Sequence, residues 1–170
     1  MPRGDRLWRC PKCGHSFVTR NLWHSCGRFR IADHLRGRPA PVRAAYREWV
    51  ETARRCGRVT VYAQKTRIVF QRRVRFAGAV VRKDWIDGSM WLRRPVTHPL
   101  LVRSENFGRL GYGHHFRINS PDDIDAELAS LMLEAYTTAG ADNETTRLRG
   151  GTGARLLAPA IHPKRSQIEA

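Results

Sequence analysis

The sequence predicts an α+β protein in which a small zinc-binding unit precedes a helix, an antiparallel sheet of four to six strands and a C-terminal helix. Three observations support this fold class. Cysteines cluster near the start of the chain, strand-like segments fill its middle, and an apolar stripe of helical spacing follows residue 120. We therefore predict a zinc-finger-like unit at residues 1–28, a compact α+β domain at 29–140 and a disordered tail at 141–170.

The first unit contains a Cys-x2-Cys knuckle followed, after ten further residues, by a His-x-Cys pair. The predicted zinc ligands are Cys10, Cys13, His24 and Cys26. Three thiolates and one imidazole complete the tetrahedral coordination of a zinc ion and leave no position for water, which is typical of a structural rather than a catalytic site. Because the His-x-Cys spacing is tight, His15 is an alternative fourth ligand and Cys56 a more distant one.

The composition favours an anionic partner. The chain has 31 Lys plus Arg against 15 Asp plus Glu, a formal net charge of +16. An excess of this size attracts polyanions on electrostatic grounds alone. No stretch is long and apolar enough to span a membrane, and the polar first nine residues do not resemble a signal peptide. We therefore expect a cytoplasmic protein that binds nucleic acid, DNA or RNA.

A helix is predicted for residues 41–55, after a short connector at 27–40. Pro41 suits the first turn of a helix and Gly57 suits its end. The apolar residues recur at helical spacing on one face, namely Val42, Ala45, Tyr46, Trp49 and Ala53.

The middle of the chain is rich in strand signals. Gly78 is a candidate bulge or turn, and Asp87-Gly88 is typical of a hairpin turn between two short strands. The predicted strands cover residues 59–63, 66–71, 73–82, 85–86, 90–92, 100–104 and 112–118.

The last helix is the clearest element in the sequence. Ser120 followed by Pro121 and two aspartates provides a cap, a first-turn proline and charges that suit the helix dipole. An apolar stripe follows, and Gly140 ends it. Because two amphipathic helices cover only one face of a sheet, the other face should meet solvent or a ligand.

Residues 67–76 alternate so that arginines share one face of the predicted sheet. Arginine forks match phosphate and carboxylate oxygens, although a solvated sheet face remains the alternative interpretation. The predicted nucleic-acid-binding or anion-binding residues are Lys65, Arg67, Arg73, Arg75, Arg93, His115 and Arg117.

The sequence leaves three functions open. The first is a non-enzymatic nucleic-acid-binding module that uses the zinc unit and the arginine-bearing sheet face, since the chain has no P-loop, nucleophile elbow, dinucleotide fingerprint or paired carboxylates. The second is a small anionic-ligand-binding module or enzyme with a pocket around Lys65, His98, Tyr112 and His115. The third is a protein-interaction adaptor that docks a protein partner through the zinc unit.

Several stretches carry a family resemblance. They are Gln-Lys-Thr-Arg-Ile-Val-Phe at 64–70, Trp-Leu-Arg-Arg-Pro at 91–95 with His-Pro at 98–99, and His-Phe-Arg-Ile at 115–118 with Ser-Pro-Asp-Asp-Ile-Asp at 120–125. Over residues 8–138 the chain resembles the bacterial domain-of-unknown-function family numbered 5655, in its stand-alone form with an N-terminal Cys-x2-Cys and His-x-Cys segment. The resemblance implies no established activity.

Overall fold

The computed structural model describes residues 7–18, 20, 24 and 26–140. They form three helices, a two-stranded ribbon and a six-stranded antiparallel sheet, so the predicted α+β class is confirmed. The tail predicted at 141–170 lies outside the described residues. Among the helices that the structure describes, none combines the length and the apolar character needed to cross a lipid bilayer.

The elements follow the predicted order along the chain. The helices are α1 (Ile31–Leu35), α2 (Ala40–Arg55) and α3 (Ala126–Gly140). The strands are β1 (Trp8–Arg9), β2 (Ser16–Phe17), β3 (Thr60–Ala63), β4 (Ile68–Gln71), β5 (Arg75–Val81), β6 (Ile86–Leu92), β7 (Leu101–Asn106) and β8 (Tyr112–Ile118). Strands β1 and β2 pair with each other, and the large sheet has the order β3-β4-β5-β6-β8-β7.

The core lies between one face of the large sheet and the helix pair α2 and α3. Trp49 of α2 is fully buried there, and its Nε1 donates a hydrogen bond of 2.9 Å to the carbonyl of Gly78. Side chains from the sheet meet the helices in a single cluster that includes Ile68, Phe70, Ile86, Met90, Leu92, Phe116, Leu128 and Met132. We call the sheet surface on the opposite side the outer face.

The predicted hairpin turn at Asp87-Gly88 is wrong. Strand β6 runs without interruption through both residues, and the turn lies just before it, where the amide of Arg82 bonds to the carbonyl of Trp85. The glycine is needed for packing, because a Cβ on Gly88 would lie 3.0 Å from Cζ2 of Trp49. In sequence, a glycine that permits close contact between a strand and a helix cannot be distinguished from a glycine in a hairpin turn.

Gly78 is neither a bulge nor a turn. It lies within β5 and pairs with Val69, where a Cβ would come within 2.6 Å of the carbonyl oxygen of Ile68. The register shift between β4 and β5 occurs at Phe70 and Gln71 instead. The glycine therefore permits close approach of two strands.

The signals at Ser120 and Asp123 form a capping box, as the sequence indicates, but they close a separate 3-10 turn at Pro121–Asp123. Helix α3 begins three residues later at Ala126. Its own cap is Asp125, whose Oδ1 accepts the amide of Leu128 at 2.8 Å.

The connector predicted at residues 27–40 packs along the edge strand β3. Phe29 pairs with Ala63 as an isolated bridge, and α1 follows it directly. His34 of α1 hydrogen-bonds through Nε2 to the carbonyl of Gln64 at 2.8 Å. This segment therefore covers part of an edge that would otherwise offer unpaired backbone groups.

Candidate metal centre and basic sheet face

The four predicted ligands converge in the structure. One donor atom from each of Cys10, Cys13, His24 and Cys26 lies within 4.8 Å of every other. The sulfur atoms of Cys10 and Cys26 are 3.3 Å apart, and Nε2 of His24 lies 3.3 Å from the sulfur of Cys13 and 3.2 Å from that of Cys26. The group is therefore positioned to hold a metal ion.

The local backbone explains how the first two thiols meet. Strands β1 and β2 pair Trp8 with Phe17, so the intervening residues form a tight knuckle. The amide of Gly14 bonds to the carbonyl of Cys10 at 2.8 Å, and the amide of Cys10 bonds to the carbonyl of His15 at 2.9 Å. Gly14 has a φ of +76°, which a residue with a side chain adopts only with strain.

The thiols perturb one another strongly. Burial opposes ionisation of Cys10, but the backbone amides of Cys13 and Lys12 outweigh it and lower the pKa of Cys10 to about 6. The hydrogen bond with Cys10, followed by burial, raises the pKa of Cys26 to about 11. One thiol of the cluster therefore ionises readily while its neighbour resists, and a bound cation would favour the thiolate form of each ligand.

The donor spacing suits a tetrahedral ion. A zinc ion with bonds of about 2.3 Å to sulfur separates two thiolates by roughly 3.8 Å. The separation of 3.3 Å between the sulfurs of Cys10 and Cys26 is slightly shorter, so a small expansion accommodates the ion. The donors are soft, which excludes magnesium or calcium as the preferred ion.

The alternative ligands lie elsewhere. The ring of His15 packs against Tyr62 of β3 with centroids 4.0 Å apart, and its pKa is lowered by burial and by the neighbouring His24 and Arg75. Cys56 ends α2, where its sulfur bonds to the carbonyl of Thr52 at 3.4 Å. The structure thus brings His24, rather than His15 or Cys56, to the three thiols.

The described residues from Leu7 to Cys26, here called the Cys/His unit, dock on the outer face of the sheet. Gln71 of β4 donates from Nε2 to the carbonyl of Ser16 at 2.9 Å. Phe17 is 3% exposed and lies under the guanidinium of Arg75, with 5.5 Å between the Cζ atom and the ring centroid. Because of this docking, Val69 and Gln71 are buried although they face away from the helices.

Docking of the Cys/His unit also determines the contacts of Arg75. As predicted, Arg75 lies on the outer face, but there its Nε donates to the hydroxyl of Tyr62 at 3.0 Å beneath the Cys/His unit. Its Nη2 is buried and has no hydrogen-bond partner within the part of the chain that the structure describes. The neighbouring Arg67 is partly covered too, and burial, followed by the charge of Arg75, lowers its pKa.

The other half of the outer face, on β6, β8 and β7, is open and carries a linked set of charged groups. Nδ1 of His115 lies 2.9 Å from Asp87, and Nε2 of the same ring lies 3.1 Å from Nη2 of Arg103. Arg117 stacks over Trp85 with its Cζ 4.4 Å from the ring centroid. Together with Arg82 these side chains line a depression of about 420 Å³, which we call the arginine depression.

The remaining predicted anion-binding residues lie away from this depression. Lys65 is exposed in the turn between β3 and β4. Arg73 lines a second depression with Arg58 and Arg72 near the end of α3. Arg93 follows β6 and donates from Nη1 to the carbonyl of Arg109 at 3.2 Å. The predicted set is therefore divided among several surfaces.

Of the residues that line the arginine depression, sequence reasoning identified only His115 and Arg117 and missed its other charged or aromatic contributors on the outer face, namely Arg82, Trp85, Asp87 and Arg103. Two of them were assigned to the wrong feature, because a turn at Asp87-Gly88 would have placed Trp85 on a short strand and Asp87 at a tip. The signal available in the sequence was the alternation in residues 86–92, where polar Asp87 and Ser89 lie between Ile86, Gly88 and Met90.

The predicted small-ligand pocket does not form. His98 is buried on the helix side, where its Nε2 lies 3.3 Å from Asp125 and its Nδ1 accepts the amide of Leu100. Tyr112 stacks with His114, which is fully buried, whereas His115 points to the outer face. His98 packs against Phe116, which faces the helices, whereas the adjacent His115 faces the opposite way, so the sheet separates the two histidines.

The comparison with protein families gives one result. A family model described as "Domain of unknown function (DUF5655)" matches residues 31–139. The chain belongs to this family. The match confirms the resemblance seen in the sequence for the helical and sheet domain, while the Cys/His unit lies outside the matched residues. Searches of curated proteins and of solved structures returned no match.

Proposed function

We propose that this DUF5655 protein is a non-enzymatic, zinc-stabilised module that binds nucleic acid through the open half of its outer face. The observation that carries the proposal is the convergence of Arg82, Arg103 and Arg117, which come from three separate segments, on one depression. A chain with a net charge of +16 attracts polyanions, and guanidinium groups bind their phosphates with paired hydrogen bonds.

The arginines retain donors for a ligand although they have partners. Arg82 lies 3.8 Å from Asp87 and Arg103 lies 3.1 Å from Glu105, yet the two side chains are 51% and 54% exposed. A guanidinium has five N–H groups, so one carboxylate does not saturate it. The carboxylates of Asp87 and Glu105 are only 18% and 27% exposed, so a phosphate binds the exposed N–H groups beside them rather than replacing them.

The distribution of charge supports binding by this side of the molecule. Residues 120–140 contain five acidic side chains and no Lys or Arg; two of the acids belong to α3, on the helix side of the sheet, and the other three to the segment just before it. A polyanion is therefore repelled from α3 and attracted to the outer face. Lys12 and Arg20 are exposed on the Cys/His unit, which docks on that same face.

Zinc is the proposed metal of the Cys/His unit. Three thiolates with one imidazole suit zinc, and such a closed set stabilises a fold without performing chemistry. The ion would hold together a segment whose described part contains only two-residue strands. It would thereby fix the unit beside the arginine depression.

The test is a salt-dependent titration against single-stranded and duplex DNA and RNA. We expect the affinity to fall steeply with salt, because bound arginines release condensed counterions. Arg103→Ala and Arg117→Ala should each reduce the slope of log affinity against log salt by about 1. Arg47→Ala, which removes the same charge from the exposed side of α2, is the matched control and should change the slope little.

The proposal would be wrong if no nucleic acid bound at low salt. It would also be wrong if Arg47→Ala reduced binding as much as Arg103→Ala, since attraction would then depend on net charge alone. From the sequence alone, Arg73 and Arg75 are the arginines to test. We instead choose the exposed arginines of the depression, because Arg75 lies beneath the Cys/His unit and Arg73 lines another depression.

A further inference from the structure

The arginine depression contains a fixed imidazole as well as arginines. Because a guanidinium only donates hydrogen bonds, Nε2 of His115 must accept from Arg103, and the ring proton is then on Nδ1. Nδ1 donates that proton to Asp87 at 2.9 Å. The His115 and Asp87 side chains are only 13% and 18% exposed, whereas the Arg103 side chain is 54% exposed and so presents its guanidinium to the depression.

The charges of the depression suit a ligand with more than one negative charge. Arg82, Arg103 and Arg117 face Asp87 and Glu105, which leaves one net positive charge around the neutral His115. Arg67 lies near enough for Asp87, Glu105 and Arg103 to affect its pKa, and it adds to the positive side. A phosphate monoester carries about −1.5 to −2 charges at neutral pH, whereas an internal phosphodiester carries one.

The depression has room for a ligand larger than a lone phosphate. Its volume of about 420 Å³ falls within the range of roughly 300–1,000 Å³ typical of small-molecule sites. The Cζ atom of Arg117 lies over the ring of Trp85, 4.4 Å from its centroid. Nucleobases stack on such guanidinium and indole planes. Val102, which is 59% exposed, adds an apolar surface to the rim.

We propose that the arginine depression recognises a terminal nucleotide phosphate, with the phosphate monoester held by Arg82 and by Arg103, which His115 positions, and with the base stacked on Arg117. The ligand is a nucleoside monophosphate unit, which occurs free or at the phosphorylated end of a single strand. This inference rests on the proposed function for its ligand class. It adds that the depression distinguishes an end phosphate from the phosphates within a strand.

Two measurements with the full chain test this inference. The first compares the affinities of a short single-stranded oligonucleotide bearing a 5′-phosphate and the same oligonucleotide bearing a 5′-hydroxyl, at constant salt and neutral pH. The second asks whether adenosine monophosphate or adenosine binds, measured by calorimetry. We expect the 5′-phosphate to increase affinity by about tenfold, and adenosine monophosphate to bind where adenosine does not.

Arg103→Gln and Arg82→Gln should abolish the preference for the phosphorylated end, whereas Arg47→Gln should keep it. Both test positions have side chains that are about half exposed, so circular dichroism should show an unchanged fold. Binding of adenosine monophosphate without any end preference of the oligonucleotide would support the site and identify the free nucleotide as its ligand.

Equal affinity for both oligonucleotides, with no binding of adenosine monophosphate, would overturn the inference while leaving the proposed function intact. If adenosine monophosphate bound and no oligonucleotide did, the proposed function would be wrong and the depression would remain a nucleotide site. A preference that survived in both Arg103→Gln and Arg82→Gln would also overturn it, because the end phosphate would then be bound elsewhere.

Discussion

A contact with a residue distant in sequence determines whether His15 or His24 joins the three thiols. The Cys-x2-Cys spacing is enough to predict the thiols, since both lie on one short knuckle. Either histidine can reach that knuckle along the chain. The ring of His15 instead packs on Tyr62, which belongs to a strand more than forty residues away in sequence, and His24 remains for the ion.

We therefore expect His24→Ala to lose nearly all bound metal and His15→Ala to retain it, as measured by elemental analysis of the purified protein. The reason is that only the ring of His24 lies within reach of the three thiols. Cys56→Ser is the matched control for the cysteines, because its sulfur bonds to Thr52 outside the cluster. Full metal content in His24→Ala would contradict the assignment.

For the arginines too, the local sequence predicted the strand face but not the contacts with distant residues. Alternation in residues 67–76 correctly placed Arg75 on the face opposite the helices. It could not show that this part of the face is covered, because the covering residue Phe17 comes from another unit. Arg103 was missed for a related reason, since its role depends on β7 pairing beside β8 across His115.

Among the secondary-structure elements, α2, α3 and the strand cores were predictable, whereas the junctions and the short helix α1, which lies in the predicted connector, were not. Helix α2 matches its expected range because its apolar face, its proline and its terminal glycine all agree. Around α3, the capping box at Ser120 closes a short turn, and Asp125 caps the helix itself. Two consecutive caps look the same in sequence, so the start of the helix was placed too early.

Asp125 gives a test at this junction. Asp125→Ala should lower the free energy of unfolding by about 1–2 kcal/mol, because the amide of Leu128 loses its cap and buried His98 loses its partner. Urea denaturation at neutral pH measures the change. Asp122→Ala, an exposed neighbour in the preceding turn, is the control and should cost much less.

The same carboxylate makes stability depend on pH. The hydrogen bond from the amide of Leu128, together with His98, holds the pKa of Asp125 below its ordinary value of 3.8. A lowered pKa in the folded state means that the stabilisation is complete above that value and is lost as pH falls below it. Asp125→Asn keeps the cap but not the charge. The difference in free energy of unfolding between this variant and the natural protein should therefore shrink as the pH is lowered from 6 to 3.

For the whole molecule, the sheet separates two different environments. Its helix side is a continuous apolar core, whereas its outer face is half covered by the Cys/His unit and half open as the arginine depression. The sequence predicted the helix side well, because periodicity reports burial against helices. It did not predict that the Cys/His unit covers part of the outer face, since such docking produces no hydrophobic periodicity in the sequence of the unit or of the strands.

Metal removal should therefore affect one side of the molecule. A strong chelator should release the Cys/His unit from the sheet, because so small a unit has little stability without its ion. Backbone NMR signals should shift around Tyr62, Gln71 and Arg75, and those of α2 and α3 should not. Added zinc should restore the original spectrum. Equal shifts throughout the chain would mean that the unit is part of the main core.

The strand order also bears on synthesis of the chain. Strands β3 to β6 pair with their sequence neighbours, and β7 pairs with β8, so most of the sheet can assemble as residues leave the ribosome. Its apolar face, however, is covered partly by α3, which ends at Gly140. We expect a nascent chain that stops before α3 to expose that face and to need a chaperone until the last helix emerges.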